Sequence, residues 1–145
     1  MRIALGADHA GFPMKDTVRQ VIEGLGHEVL DCGTGSTEPV DFPDITQDTC
    51  RPVQDGRADR AILVCGTGQG AVMAANKLSG IRCGLAHEPY SAHQAVEHDD
   101  ANAIAMGAWL VPHALVPDIV REFLGAVFDD DEDTRRRVAK LNALD

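Results

Sequence analysis

The sequence predicts an α/β protein: a single domain over residues 1–145, in which helices cover both faces of a Rossmann-like, five-stranded parallel sheet to give three layers. Two observations predict this class. Short apolar runs alternate with segments that have the 3.6-residue spacing of amphipathic helices, as in βα units with parallel strands. Apolar residues make up 44% of the chain but aromatic residues only 4%, so Ala, Val, Leu and Ile must form the core.

Five short apolar runs are the predicted strands. The clearest is Arg60–Cys65, RAILVC, which has the length and composition of a buried strand and ends in a glycine-rich segment. The sequence leaves the order of the strands in the sheet open. The other predicted strands are Arg2–Ala7, Glu28–Cys32, Arg82–Ala86 and Asn102–Met106.

Helical spacing fills the intervals between these strands. After the first strand, apolar residues recur every three or four positions, and Gly26 stands where a helix usually ends. Pro52 is expected to kink or break the second helix, because it lacks an N–H donor. The predicted helices are Met14–Leu25, Asp44–Gly56, Ala71–Leu78, Pro89–His98, Leu115–Val127 and Thr134–Leu144.

The charge and the cysteines of the chain limit its partners. A formal net charge of −10 repels nucleic acids and anionic membrane surfaces, so neither is an expected partner. No apolar run approaches the length that spans a bilayer.

The four cysteines are widely spaced and include no CxxC pair, which predicts reduced thiols in a cytoplasmic protein rather than disulfides or a zinc site.

The strand that ends at Cys65 leads directly into the sequence GTGQG. Its alternate glycines, Gly66, Gly68 and Gly70, leave backbone N–H groups free to point at one anionic group, although the same loop could be merely a tight turn. The Lys-Ser/Thr ending of a P-loop is absent. The thiol of Cys65, next to the positive end of a helix, should have thiolate character and is a candidate base, whereas the other cysteines are interpreted as structural.

Ligands of an open parallel sheet collect beyond the carboxyl ends of its strands. Asp8 and His9 follow the first strand, and His98 and Asp99 close the helix before the fifth strand. We expect these side chains to converge with Cys65 at that edge and to supply acid and base groups. Such a set could also form a thiol hydrolase, but the sequence offers no clear place for the leaving group of an acyl substrate.

Five segments of the chain match one known family. They are RIALGADHAGF at the start, DCGT, ILVCGTGQGAVMAANKLSGIR, HEPYSA and NAIAMGA, and together they extend over nearly the whole chain. In these segments the chain resembles the ribose-5-phosphate isomerase B family, which includes the galactose-6-phosphate isomerase subunits. The resemblance implies an aldose–ketose isomerase that interconverts ribose 5-phosphate and ribulose 5-phosphate through a cis-enediolate, without a metal or an organic cofactor.

The resemblance also implies how the proton is moved. Cys65 matches the family's cysteine base, which transfers one proton between C2 and C1 of the sugar. Some relatives use a glutamate at the start of the next helix, where this chain has Ala71 and Val72, so it resembles the cysteine subgroup. The N–H groups of Gly66 to Gly70 would hold the enediolate oxygen, and Thr67 would relay the hydroxyl proton.

The remaining candidates have roles implied at the two ends of the sugar. His98, together with Asp8, would open the furanose ring, and His9 would lie near the phosphate. Asp99 and Arg137 would also contact the substrate. Members of the family are similar in being homodimers or dimers of dimers, so the partners implied are a sugar or sugar phosphate and a second copy of the chain, with the site between subunits.

Three positions depart from the family's pattern. Asp99 follows the histidine where the family often has Asn, and Trp109 stands where an arginine often follows the fifth strand's glycine. Two arginines four residues apart usually bind the phosphate, but here those positions are Asp133 and Arg137. Because residues four apart share a helix face, Asp133 is expected to pair with Arg137. Trp109 is expected to fill core space rather than to stack on a sugar.

These departures leave three hypotheses open. The first is an isomerase for ribose 5-phosphate. The second is the same chemistry on a different aldose or sugar phosphate, because the phosphate-binding positions are altered while the catalytic ones are retained. The third is a non-catalytic, sugar-binding partner subunit. Proton exchange by the purified chain alone would eliminate the third hypothesis.

Overall fold

Five parallel strands form one sheet in the computed structural model, which describes residues 1–145. Their order across the sheet is β2-β1-β3-β5-β4, and every neighbouring pair is parallel, so the predicted fold class is confirmed. The predicted bounds of the first and third strands agree with the structure. The second strand differs by one residue at one end, and the fourth and fifth differ by one residue at both ends. The strands are β1 (Arg2–Ala7), β2 (Glu28–Asp31), β3 (Arg60–Cys65), β4 (Cys83–Leu85) and β5 (Ala103–Gly107).

Six helices flank the sheet, and none of them combines the length and the apolar character that crossing a membrane requires. The second helix is not broken at Pro52 but continues to Gln54. Pro52 lies in its last turn, where Asp55 still donates its N–H to the carbonyl of Arg51 at 2.9 Å. The helices are α1 (Phe12–Gly24), α2 (Phe42–Gln54), α3 (Gln69–Ala75), α4 (Pro89–Asp99), α5 (Val116–Gly125) and α6 (Glu132–Asn142).

The sheet separates two apolar clusters. The larger one packs α1, α4 and α5 against one face, with side chains such as Ile104 and Phe123 fully buried. The smaller one lies under α2 and α3 and consists largely of alanine and cysteine. These small side chains let α2 and α3 approach the sheet closely, and the core is built from the aliphatic residues that the composition predicts.

The two central strands, β1 and β3, form a topological switch point, because β2 lies beyond β1 whereas β5 and β4 lie beyond β3. Connections that lead away in opposite directions open a crevice at the carboxyl edge of the sheet. Asp8 follows β1 and donates its backbone N–H to the carbonyl of Val64 at 3.2 Å. The fold therefore brings Asp8 beside Cys65 at the mouth of this crevice.

Two glycines let backbone segments touch at this edge. A Cβ on Gly11 would lie 2.0 Å from the carbonyl oxygen of Val64, and a Cβ on Gly33 would lie 2.4 Å from the backbone nitrogen of Ala7. No real side chain tolerates such distances, so both positions require glycine. The turn after β1 consequently packs directly against the end of β3.

Candidate active site

Cys65 is the last residue of β3 and lies at the floor of the crevice. Its side chain is buried, and its Sγ accepts a hydrogen bond from the backbone N–H of Gly68 at 3.0 Å. A donor that points at sulfur stabilises negative charge on it, and the same N–H belongs to the first turn of α3. The thiol therefore has the local setting that the sequence predicts for a base.

Gly68 adopts a conformation that suits glycine and few other residues. Its φ is +82°, in the left-handed region. A Cβ there would lie 2.6 Å from Cδ1 of Leu85 and 3.2 Å from the carbonyl carbon of Met106. Gly68 can therefore direct its N–H at Cys65 only because it lacks a side chain.

Gly68→Ala is expected to lower kcat by about 10²-fold, because the added methyl group shifts the loop and a displacement of about 1 Å can cost that much. The left-handed backbone adds about 1–2 kcal/mol of destabilisation, which urea unfolding measures. Gly80→Ala is the matched control: its φ is +75°, but a Cβ there meets open space. Equal kcat values for the two variants would contradict a role for the loop geometry in catalysis.

Some of the N–H donors that the sequence predicts in this loop have no acceptor, whereas others form hydrogen bonds within the loop. The N–H of Gly68 binds Cys65, and that of Gln69 donates to Oγ1 of Thr67 at 3.3 Å. The N–H groups of Gly66 and Thr67 find no acceptor within the chain. Because backbone donors this close to the interior are normally paired, these two indicate a place for an anionic oxygen. Of the expected donors, those of Gly68 and Gln69 are thus used within the loop, whereas Gly70, like Gly66 and Thr67, has no acceptor within the chain.

His87 belongs to this site, although its sequence context suggests an ordinary surface histidine. Its Nε2 lies 3.0 Å from the carbonyl oxygen of Thr67. A carbonyl oxygen only accepts, so Nε2 carries the proton and donates. His87 follows the carboxyl end of β4, and the rule that directed attention to Asp8 and His9 could have identified it.

Asp8 and His9 both lie at the expected edge, where they hold backbone segments. Oδ1 of Asp8 accepts from the N–H groups of Ala10 at 2.9 Å and Gly11 at 2.8 Å, and the residue is only 7% exposed. Nδ1 of His9 accepts from the N–H of Val40 at 3.2 Å. The carboxylate therefore shapes the turn after β1, and the imidazole fixes the loop that leads into α2.

His98 and Asp99 do not converge with Cys65 within one chain, which corrects the expectation. The helix α4 runs antiparallel to the strands, so its last residues lie at the amino edge of the sheet. Next to them, Asp100 pairs with Arg82 at 2.8 Å, just before β4 begins. Cys65 pairs with Gly107, which lies four residues after the start of β5. Four residues of strand extend about 13 Å, and this distance separates the amino edge of the sheet from its carboxyl edge.

Arg137 pairs with Asp133 at 3.8 Å, as the sequence predicts. Asp133 also binds Arg136, at 2.6 Å, so two arginines share one carboxylate. The side chain of Arg137 is 68% exposed and makes no hydrogen bond or ion pair with the Cys65 loop. Within the chain, the predicted phosphate arginine and the predicted base are therefore not in contact.

The other three cysteines have the properties of structural thiols. All four cysteines are free, and burial raises the pKa of Cys50 to about 12. Desolvation likewise raises the pKa values of Cys83 and Cys32 above the ordinary range of a thiol. These three side chains stay protonated at neutral pH, in line with their interpretation from sequence. No three His, Cys, Asp or Glu side chains meet in an arrangement that could hold a metal ion.

Two aromatic rings lie against the ends of the glycine loop. A Cβ on Gly66 would lie 2.8 Å from the indole of Trp109, and a Cβ on Gly70 would lie 3.0 Å from the ring of Phe42. Trp109 is 73% exposed, so the expectation that it fills core space is wrong. It follows β5 at the open edge of the sheet, where its own N–H binds the carbonyl of Gly66 at 3.0 Å.

The fold and the site together define a class of protein. A thiol held by an N–H donor, with two unpaired donors beside it at the switch point of a parallel sheet, suits an enzyme that removes a proton and stabilises the resulting oxyanion. A sequence profile described as Ribose/Galactose Isomerase matches residues 3–141. The chain belongs to the ribose/galactose isomerase family and is a sugar-phosphate isomerase.

Characterised relatives and solved structures agree with this assignment. The chain is 38% identical over 144 residues to Ribose-5-phosphate isomerase B of Escherichia coli, covering 99% of this chain and 96% of that protein. It is 34% identical to D-erythrulose-4-phosphate isomerase 2 of Mycolicibacterium smegmatis, covering 100% and 97%. The structure of Ribose-5-Phosphate Isomerase B from Clostridium thermocellum superposes with a TM-score of 0.95 at 38% identity, covering 99% and 97%.

Proposed function

We propose that the chain interconverts ribose 5-phosphate and ribulose 5-phosphate, with Cys65 as the base. The observation that carries this proposal is the hydrogen bond of 3.0 Å from the N–H of Gly68 to Sγ of Cys65. It supports this role because the unpaired N–H groups of Gly66 and Thr67 lie on the same loop, and the reaction needs a base and an oxyanion site together.

In the proposed reaction, the thiolate of Cys65 takes the proton from C2 of the open-chain aldose. The electron pair of that C–H bond forms the C1–C2 double bond, and the carbonyl electrons move to O1, which the N–H groups of Gly66 and Thr67 stabilise. The thiol then returns the proton to C1 while the hydroxyl of Thr67 relays the O2 proton to O1. A positioned base contributes roughly 10²–10⁴ in rate, and each well-directed donor contributes about 3 kcal/mol.

The ring-opening step needs a histidine that the same chain does not supply. We assign this step to His98 of the partner subunit, acting with Asp8 of the chain that holds the thiol. This assignment requires a homodimer, or a dimer of dimers, with the site between subunits. It is supported by the exposure of His98 at the end of α4, where its ring makes a polar contact only with Glu97, at 3.7 Å. Asp99 and Arg137 of the partner subunit would then reach the substrate, with His9 near the phosphate.

A second candidate is the same chemistry on another aldose or sugar phosphate. Asp133 pairs with both Arg136 and Arg137, so the cationic half of the proposed phosphate site is partly neutralised. Loss of a charge-assisted contact costs about 1.5–3 kcal/mol, enough to change substrate preference. A relative of similar identity is named for D-erythrulose 4-phosphate, a shorter sugar.

A non-catalytic partner subunit is the weakest candidate, because the thiol of Cys65, its N–H donor and the unpaired N–H groups beside it all occur in one chain. All four thiols are free, which supports the cytoplasm as the proposed location, since thiols persist in reducing compartments.

The decisive experiment is to supply purified protein with ribose 5-phosphate in D₂O and to follow ketose formation and deuterium in the product. We expect turnover with incorporation of deuterium at the carbon that receives the proton. Turnover of another aldose phosphate alone would support the second candidate instead. A folded protein that exchanges no proton with any aldose or aldose phosphate would overturn the isomerase mechanism.

A further inference from the structure

Trp109 is the single tryptophan of the chain and lies with its indole on the Cys65 loop. The ring contacts the Cα side of Gly66 so closely that a Cβ there would lie 2.8–2.9 Å from three of its carbons. Hydrogen bonds hold the backbone in the same place: the N–H of Trp109 binds the carbonyl of Gly66 at 3.0 Å, and that of Ala108 binds the carbonyl of Cys65 at 2.8 Å. The indole is thus held against the loop that follows Cys65.

The remainder of the ring faces outward, with 73% of the residue exposed. Tryptophan stabilises a protein chiefly by burying its large apolar area, and an exposed indole in a fixed position is a ready contact for another molecule. The unpaired N–H groups of Gly66 and Thr67 lie on the same loop. A molecule that binds those donors through an oxygen would therefore have its carbon chain next to the indole.

No lysine or arginine side chain forms a hydrogen bond with this loop. Eight of the ten arginines form ion pairs with carboxylates, and Arg60 is occupied by two backbone carbonyls. The net charge is −10. Besides the N–H groups of Gly66 and Thr67, the indole face of Trp109 is therefore the contact that a ligand at this loop would meet.

We propose that Trp109 is a specificity-determining residue whose outward indole face stacks on the C–H face of the aldose chain, beside the carbons that react at Cys65. This inference rests on the proposed isomerisation and adds to it a contact that does not depend on the phosphate. The class of ligand is an aldose or aldose phosphate with C–H groups on one face of its first carbons. The indole contact aids binding of the sugar rather than the chemical step.

Fluorescence of the single tryptophan tests the contact directly. In the Cys65→Ala variant, which should bind without turning over, ribose 5-phosphate is expected to change the emission of Trp109 in a saturable manner. Unphosphorylated ribose should do the same at higher concentration. If the wild-type enzyme turns over ribose 5-phosphate but the emission of the variant stays constant through saturation, the stacking proposal is wrong.

Kinetics separates stacking from a structural role of the ring. Trp109→Ala is expected to raise KM about tenfold for ribose 5-phosphate and for ribose alike, with kcat changed less than threefold, because stacking acts on bound carbon atoms. Trp109→Phe should restore most of the affinity. A fall in kcat without a rise in KM, or a loss of oligomeric state in Trp109→Ala by light scattering, would show that the ring supports the loop or the subunit contact instead.

The test also distinguishes failure of this inference from failure of the proposed function. A wild-type protein that turns over no aldose or aldose phosphate contradicts the isomerisation, and the stacking proposal falls with it. A wild-type protein that is active, with Trp109→Ala kinetically unchanged, contradicts the stacking proposal alone.

Discussion

Replacing Cys65 with alanine is expected to lower kcat by roughly 10²–10⁴-fold, the contribution of a positioned base, while the affinity for the sugar changes little. The reason is that Sγ of Cys65 is the group placed by the N–H of Gly68 beside the oxyanion donors. Proton exchange between substrate and D₂O should be lost together with net isomerisation. Steady-state kinetics and deuterium incorporation measure both quantities.

Cys32→Ala is the matched control, because this half-buried thiol lies away from the loop and its pKa is raised by desolvation. It should retain wild-type kcat. Cys65→Ser keeps the shape of the side chain but supplies a far weaker base, so it should resemble Cys65→Ala in rate. Substantial turnover by Cys65→Ala, in a preparation free of wild-type enzyme, would remove Cys65 as the base.

Mixing two inactive variants is expected to restore activity if the site lies between subunits. Cys65→Ala lacks the base, and His98→Asn lacks the proposed ring-opening histidine, so each homodimer should be deficient on the cyclic sugar. In a mixed dimer, one of the two sites receives an intact Cys65 from one chain and an intact His98 from the other. Random exchange should therefore restore about one quarter of the wild-type activity.

The control mixture combines Cys65→Ala with Gly68→Ala, because both changes affect the same half of the site. Every site in that mixed dimer carries one damaged loop, so no recovery is expected. Native mass spectrometry should confirm that subunits have exchanged in both mixtures. Exchange without recovery in the first mixture would show that His98 does not complete a neighbouring site.

Much of the fold follows from local patterns. The bounds of β1 and β3 are predictable because each is an arginine followed by five uncharged, mostly apolar residues, and such short runs leave little choice of structure. The break expected at Pro52 is wrong because a proline in the last turn of a helix removes few hydrogen bonds. The strand order is a long-range property, which local spacing does not encode.

The candidate site likewise combines features that local sequence predicts with features that depend on long-range contacts. Cys65 and its glycines are contiguous along the chain, so their chemistry is visible in the sequence. The hydrogen bond from His87 to the loop joins residues 20 positions apart, and the packing of Trp109 on Gly66 joins two different strand ends. No spacing of residue types along the sequence predicts either contact. The separation of His98 from Cys65 depends likewise on the direction of α4 across the sheet.

Local sequence patterns are enough to predict the class of fold, the thiol at the end of the central strand, the glycine loop and the pairing of Asp133 with Arg137. All of these depend on neighbours within a few residues, where helical and strand geometry dictate which groups meet. Three features emerge only from the folded chain: which N–H groups stay unpaired, the exposure of Trp109 to solvent, and the position of His98 at the opposite edge of the sheet. Those outcomes depend on how distant segments pack, because each segment's direction is set by the core that it covers.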